Sequence, residues 1–209
     1  MTNALRIITA IAGLLTGAAP LGDAPANGQG SSPAVVLTGM TAAEQAGTMH
    51  VVELFAQAGL QLPPVVIRRH VDTVACNGHE GLHHTDGDRS VIDICTPGNS
   101  GAWEERTILH ELSHAWAFHY MTPAQKQAFK VLRGWATWLD YDRAEWKDNG
   151  SEQAAEVMVW GLSDHPVQPT KIDHTTCAEL HDGYVALTGL EPLHGYTEMC
   201  DEKIRAQRS

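Results

Sequence analysis

The residues best suited to chemistry lie close together, where His110, Glu111 and His114 form the pattern H-E-x-x-H. Two histidines four residues apart lie on one face of a helix, one turn from each other, so their ring nitrogens can bind a single zinc ion. The glutamate between them can accept a proton from a water molecule that the metal activates. This pattern therefore predicts zinc-dependent hydrolysis.

The segment from Trp103 to Tyr120 is predicted to be the helix that carries this pattern. It contains neither glycine nor proline. Its apolar residues recur at intervals of three and four, as a buried amphipathic helix requires: Ile108, Leu109, Leu112, Ala115 and Trp116. The two histidines lie at the edge of this apolar stripe, so we expect them to face a cleft. The alternative is a surface helix that carries two histidines by chance.

A catalytic zinc needs a third protein ligand and one open position for water. A third histidine six residues after the second is excluded, because that position is Tyr120 and His119 points away from the shared face. Glu152 and Glu156 are better candidates, since carboxylates four apart share one helix face. Glu152 can bind the metal, and Glu156 can accept the outer N–H of a ligating histidine. The alternative is a solvated acidic helix start, which the helix dipole favours.

The H-E-L-S-H stretch and the downstream E-Q-A-A-E stretch resemble the gluzincin branch of the zincin-like metallopeptidases. The resemblance implies that His110, His114 and Glu152 bind one Zn²⁺ per chain. It implies that Glu111 is the general base and that Glu156 supports a ligand. The expected fold is α+β and zincin-like, with a small, mainly antiparallel sheet packed on the active-site helix and a helical C-terminal half.

The remaining segments predict further helices and strands around this site. Helices are expected at residues 41–58, 122–133, 151–162 and 176–187, and strands at residues 65–67 and 90–95. By resemblance, residues 90–95 correspond to the edge strand that borders the cleft. Residues 76–89 are predicted to be a loop or hairpin connection, and Ser151 is expected to cap its helix.

Other residues are candidates for supporting roles. A second electrophile would stabilise the oxyanion, and the candidates are Tyr141, His174, His181 and Tyr184. The alternative for each of them is that it is an ordinary surface or half-buried residue without a role in catalysis. His79, His83 and His84 lie in a glycine-rich segment, which either binds a second metal, borders the cleft or is simply exposed.

The N-terminal region predicts export. Residues 1–26 are interpreted as a signal peptide, because Arg6 precedes a nearly uninterrupted run of apolar and small residues that is too short to span a bilayer. The alternative is an N-terminal helix of the mature fold. Residues 27–40 are interpreted as a flexible linker and residues 41–209 as a single zincin-like metallopeptidase domain, so we expect a secreted protein.

The cysteines fit the same interpretation. Their even number predicts two disulfides in a secreted chain, and they are Cys76, Cys95, Cys177 and Cys200. Of three pairings, Cys76 with Cys95 and Cys177 with Cys200 is the simplest. No C-x-x-C spacing occurs, which argues against a cysteine-based zinc site. The alternative is four reduced cysteines in a cytosolic protein.

Charge and hydropathy exclude two classes of partner. The net charge is −11, and the 14 lysines and arginines form no basic cluster, which argues against nucleic-acid binding. No segment after the signal is long and apolar enough to insert stably in a membrane. We expect a monomeric enzyme that acts on a peptide or protein substrate. The alternatives are a non-catalytic metal-binding protein and a partner-binding protein on a zincin-like scaffold.

Overall fold

In the part of the chain that the structure describes, all four strands lie before residue 95, and the regular elements after it are helices. The structure is a computed structural model that describes residues 34–95, 102–135, 137–139, 148–165 and 176–195. Its strands are β1 (Val35–Thr38), β2 (Val65–Arg69), β3 (Gly81–Asp86) and β4 (Arg89–Ile94). Its helices are α1 (Ala42–Gln57), α2 (Ala102–Tyr120), α3 (Pro123–Arg133), α4 (Gly150–Leu162) and α5 (Cys177–Thr188). The predicted α+β class and the helical second half are confirmed.

Reciprocal capping boxes begin three of these helices. In each, a threonine side chain accepts a hydrogen bond from a backbone N–H three residues on, and the Glu or Gln at that position accepts one from the threonine backbone. The pairs are Thr41 with Glu44, Thr122 with Gln125, and Thr176 with Glu179. The predicted starts of α1, α3 and α5 are therefore confirmed.

Helix α4 begins differently, and the prediction that Ser151 caps it is wrong. Asn149 occupies the N-cap position and makes no side-chain cap bond, while Ser151 lies inside the helix and is buried. The backbone N–H groups of Gly150 and Ser151 donate instead to the carbonyls of Thr137 and Trp138, at 3.2 and 2.8 Å. An incoming backbone segment thus replaces the side-chain cap.

The four strands form one mixed sheet in the order β1-β2-β4-β3. Strand β2 pairs in parallel with both β1 and β4, and only β3 and β4 are antiparallel. The prediction of a mainly antiparallel sheet is therefore wrong. Helix α1 crosses over between β1 and β2 and returns the chain in the same direction, and β3 takes the outer position, so that β4 runs parallel beside β2.

Two strands lie in segments predicted to be a linker and a loop or hairpin connection, and the hairpin alternative is confirmed. Val35–Thr38, inside the segment 27–40 predicted to be a linker, forms β1. Gly81–Asp86 forms β3, which joins β4 through a two-residue turn with Gly87 at φ 62°. Because β3 is the outer strand, the expectation that residues 90–95 are the edge strand is wrong: β4 is internal and β3 is the edge.

Helix α2 is the central element that positions the site. It contacts β3 and β4 on one side, α4 on another, and α1 near its own start. The predicted disulfide between Cys76 and Cys95 is present, and it joins the segment before β3 to the residue after β4. The other predicted pair includes Cys200, which lies outside the described residues, as does the predicted signal segment. None of the helices in the described ranges combines the length and apolarity that crossing a bilayer requires.

Candidate metal centre

Three side chains from two helices converge on one point. The Nε2 atoms of His110 and His114 lie 3.1 Å apart, and Glu152 Oε2 lies 3.1 Å from the first and 3.3 Å from the second. His110 and Glu152 are buried, and His114 is half-buried. The three ligands predicted from the sequence are thus brought together in one compact triangle.

The convergence follows from how α2 and α4 pack. The two histidines lie on consecutive turns of α2, with their rings edge to face at 4.7 Å between centroids. Glu152 and Glu156 lie one turn apart on α4 and share the face that meets α2. Glu152 lies in the first turn of α4, and its Oε2 reaches both imidazoles.

Glu156 supports the triangle from one turn further along α4. Its Oε1 lies 3.1 Å from Nδ1 of His110, the ring nitrogen that faces away from the convergence point. Its Oε2 accepts a hydrogen bond from Nη2 of Arg106. Arg106 was not singled out in the sequence, because its partner is 50 residues away and only the antiparallel packing of α2 on α4 joins them. Such a carboxylate fixes the tautomer and the orientation of a metal-binding imidazole.

The electrostatics of the three groups are those of a site that attracts positive charge. Burial alone would lower the pKa of His110, but Glu152 and Glu156 outweigh it and the pKa lies above its ordinary value. Burial alone would raise the pKa of Glu152, but the imidazoles of His114 and His110 outweigh it and the pKa lies below its ordinary value. A cation between these groups would replace the proton that His110 otherwise holds.

The donor set fits zinc. A tetrahedral zinc ion with bonds of about 2.0–2.1 Å separates its donor atoms by roughly 3.3–3.4 Å. The three separations of 3.1–3.3 Å agree with that value closely. Two imidazole nitrogens and one carboxylate oxygen also match the donor types of catalytic rather than structural zinc sites, which leave a fourth position for water.

A cavity of about 780 Å³ lies beside this triangle. Glu111 lines it together with the three converging side chains. The edge strand β3 forms the facing wall through Gly81, Leu82 and His83. The cleft expected from the sequence is therefore present, and an edge strand borders it, although that strand is β3.

Gly81 gives Glu111 the space that it occupies. A Cβ atom at position 81 would lie 2.6 Å from Glu111 Oε1, 2.8 Å from its Cγ and 2.9 Å from Cγ2 of Thr107. No normal non-bonded contact is that short, so any other residue here would push the Glu111 side chain aside. The sequence marked this glycine only as part of a loop.

The histidines of β3 divide between the two faces of the sheet. His83 lies in the cavity wall, with its ring stacked against His114 at 6.4 Å and its Nε2 3.0 Å from Oγ of Ser90. His84 points the other way, 3.6 Å from Asp93. His79 also lines the cavity. Neither group of metal-binding side chains found among the described residues includes His79, His83 or His84. Of the three alternatives for this segment, the position at the border of the cleft is the one that the cavity lining supports.

Two of the four candidates for oxyanion stabilisation lie in the described part of the chain, and neither is brought to this site. Tyr184 is fully buried on α5, where burial raises its pKa, and its ring packs over Gly161 of α4. His181 lies on the outer face of α5, 2.8 Å from Glu191. Neither is among the described residues that line the cavity. Tyr141 and His174 lie outside the described residues.

Comparison of this chain with protein-family models, with curated proteins and with solved structures finds no match. The arrangement of the site's own residues is therefore the basis for assigning a function.

Proposed function

We propose that this protein is a zinc-dependent metallopeptidase of the zincin-like, gluzincin type. The observation that carries the proposal is the convergence of His110, His114 and Glu152 beside a cavity that also holds Glu111. Buried carboxylates and imidazoles packed this closely are costly unless a cation joins them. A metal centre open to a cavity, with a carboxylate at hand, is the arrangement that hydrolysis requires.

In the proposed reaction each residue has one role. His110, His114 and Glu152 would hold the zinc, which supplies a Lewis acid that polarises the substrate carbonyl and the attacking water. Glu111 accepts a proton from that water and then donates it to the leaving amine. Glu156 holds His110 in place, and Arg106 neutralises Glu156 from its other side.

A peptide is the substrate that the cavity wall favours. Among the described residues, strand β3 pairs with β4 alone, so its other edge offers backbone N–H and carbonyl groups to a further strand. An extended peptide can add to such an edge, and its scissile bond would then lie over α2. The contact of β3 with α2 brings this edge to the HExxH residues.

The decisive variant is Glu111→Gln, assayed with a broad peptide library and with zinc analysis of the same preparation. We expect hydrolysis to fall by about 10²–10⁴-fold, because the general base is lost. Zinc content should stay at the wild-type level, since Glu111 is not a ligand. Glu53→Gln, an exposed carboxylate on α1, is the matched control and should hydrolyse peptides like the wild type.

Gly81→Ala tests the same role without changing any charged group. The added methyl group would displace the Glu111 side chain, so we expect activity to fall while zinc content is kept. Gly47→Ala is its control, because a Cβ there meets nothing within 4 Å. Undiminished hydrolysis in both Glu111→Gln and Gly81→Ala would refute the mechanism. A wild type that binds zinc without cleaving peptides would favour the non-catalytic metal-binding alternative.

A further inference from the structure

A second cluster of imidazoles and carboxylates lies on the opposite side of α2. His50 Nε2 is 3.1 Å from Asp164 Oδ2, and His165 Nε2 is 3.4 Å from Asp164 Oδ1 and 3.5 Å from Glu105 Oε2. Donor atoms of His50, Glu105 and Asp164 all lie within 4.8 Å of one another. One imidazole nitrogen and two carboxylates thus converge, and the imidazole of His165 lies beside both carboxylates.

These four residues come from three separate elements. His50 belongs to α1, Glu105 to the first turn of α2, and Asp164 and His165 follow the end of α4. The cluster therefore lies where α1, the start of α2 and the segment after α4 meet.

The cluster carries an excess of negative charge. Glu105 and Asp164 lie close enough to repel each other, and the end of α4 adds the negative end of its helix dipole. Oε1 of Glu105 is buried and has no hydrogen-bond partner among the described residues. A buried carboxylate oxygen without a partner is costly, which a cation at this point would offset.

We propose that His50, Glu105, Asp164 and His165 bind a second divalent cation of the zinc class. Imidazole nitrogen and carboxylate oxygen are both zinc donors. Three of these residues already converge, and the imidazole of His165, next to both carboxylates, would supply a fourth donor. This site has a structural role: it ties α1 to α2 and to the end of α4. The side chains are partly exposed, so rotamer changes can bring their donor atoms onto one ion. The proposal does not depend on peptidase activity.

The test is zinc analysis of the full chain after equilibration with excess Zn²⁺ and removal of loosely held metal. We expect two zinc ions per wild-type chain. His50→Ala/Asp164→Asn should retain one, Glu152→Ala should retain one, and the combined variant should retain none. His181→Ala is the matched control, because it removes a histidine with carboxylate neighbours but no third converging group, and it should retain two.

Thermal unfolding gives a second readout. In the Glu152→Ala background, added Zn²⁺ should raise Tm, and this rise should disappear when His50→Ala/Asp164→Asn is added. Glu105→Gln in the same background should reduce the rise and serves if the double substitution fails to fold. One zinc per wild-type chain, or an unchanged count in His50→Ala/Asp164→Asn, would overturn the proposal. Neither count depends on whether the protein cleaves peptides.

Discussion

Helix α4 presents two faces that are both buried but are built from opposite chemistry. The face towards α2 carries Glu152 and Glu156, which meet two imidazoles and a guanidinium. The face towards α5 carries Val157, which lies next to Gly183, and Gly161, which lies against the ring of Tyr184. Every residue of this helix is buried, so exposure cannot explain why one face is charged and the other apolar.

The two faces differ in what their burial contributes to stability. Burial of the apolar face releases its surface from water and is favourable without any partner ion. Burial of the charged face costs desolvation that contacts between the ionised groups repay only in part. The favourable burial of the apolar face can therefore offset the cost of burying the charged face on the same helix. Substitutions on the two faces should therefore have separable effects.

The largest effect is expected for Glu152→Ala on the charged face. Glu152 is one of the three proposed zinc ligands. Its removal should lower zinc affinity by more than roughly 100-fold, because the loss of a residue that only supports a ligand already costs about 10–100-fold. The measurement is a competitive zinc titration against a chelating dye. Glu53→Gln on α1 is the control and should titrate like the wild type. Equal affinities for Glu152→Ala and the wild type would show that α4 contributes no ligand.

A smaller effect is expected for Glu156→Gln, because Glu156 acts on the metal through His110. Zinc affinity should fall by about 10–100-fold. Glu156 is one of the groups that raise the pKa of His110, and zinc must displace the proton that this imidazole binds. The ratio of wild-type to Glu156→Gln zinc affinity should therefore be greatest at high pH and should shrink as the pH falls through the raised pKa of His110. The same titration, repeated across pH, measures it. A ratio that grows at low pH would contradict this role.

The apolar face should respond in stability alone. A methyl group at Gly161 would overlap the ring of Tyr184, so Gly161→Ala should destabilise the protein by about 1–3 kcal/mol. Gly47→Ala, in the exposed interior of α1, should instead stabilise it by about 0.5–1 kcal/mol. Denaturant unfolding of the metal-free proteins measures both. A large loss of zinc affinity in folded Gly161→Ala would show that the two faces are not independent.

The smallest effect is expected far from both faces, at the start of α1. Thr41→Ala removes the side chain that caps the helix, which should cost about 1 kcal/mol. Glu44 has a lowered pKa because it accepts hydrogen bonds from the Thr41 backbone and side chain. The contribution of Glu44 to folding stability is therefore present above its ordinary pKa of 4.5 and is lost as the pH falls through its lower pKa in the folded protein. Unfolding free energies measured across this pH range should show the cost of Thr41→Ala shrinking on acidification.

The features that depend on local spacing could be predicted from the sequence. The histidines four residues apart on α2 and the threonine caps of α1, α3 and α5 each involve residues of a single turn. The position of Glu152 beside the two histidines could also be predicted, because a buried acidic pair on an apolar helix needs a positively charged partner. These are the parts in which neighbouring residues alone determine the geometry.

The features that depend on long-range packing could not be predicted. The parallel pairing of β1 with β2 follows from the crossover through α1, and the parallel pairing of β2 with β4 follows from the outer position of β3. No local pattern encodes either arrangement. Strand β3 has the sequence G-L-H-H-T-D, which lacks the β-branched run typical of strands and takes its order from pairing with β4. The partner of Arg106 and the close approach of Gly81 to Glu111 arise only when α2 meets α4 and β3.

The most direct test of the metal centre is a crystal structure of the zinc-loaded protein with anomalous diffraction measured at the zinc absorption edge. A peak should lie about 2.0–2.2 Å from Nε2 of His110, from Nε2 of His114 and from a carboxylate oxygen of Glu152. The corresponding map of Glu152→Ala should lose or weaken that peak. A wild-type map with no anomalous peak between these three side chains would contradict the proposed zinc site.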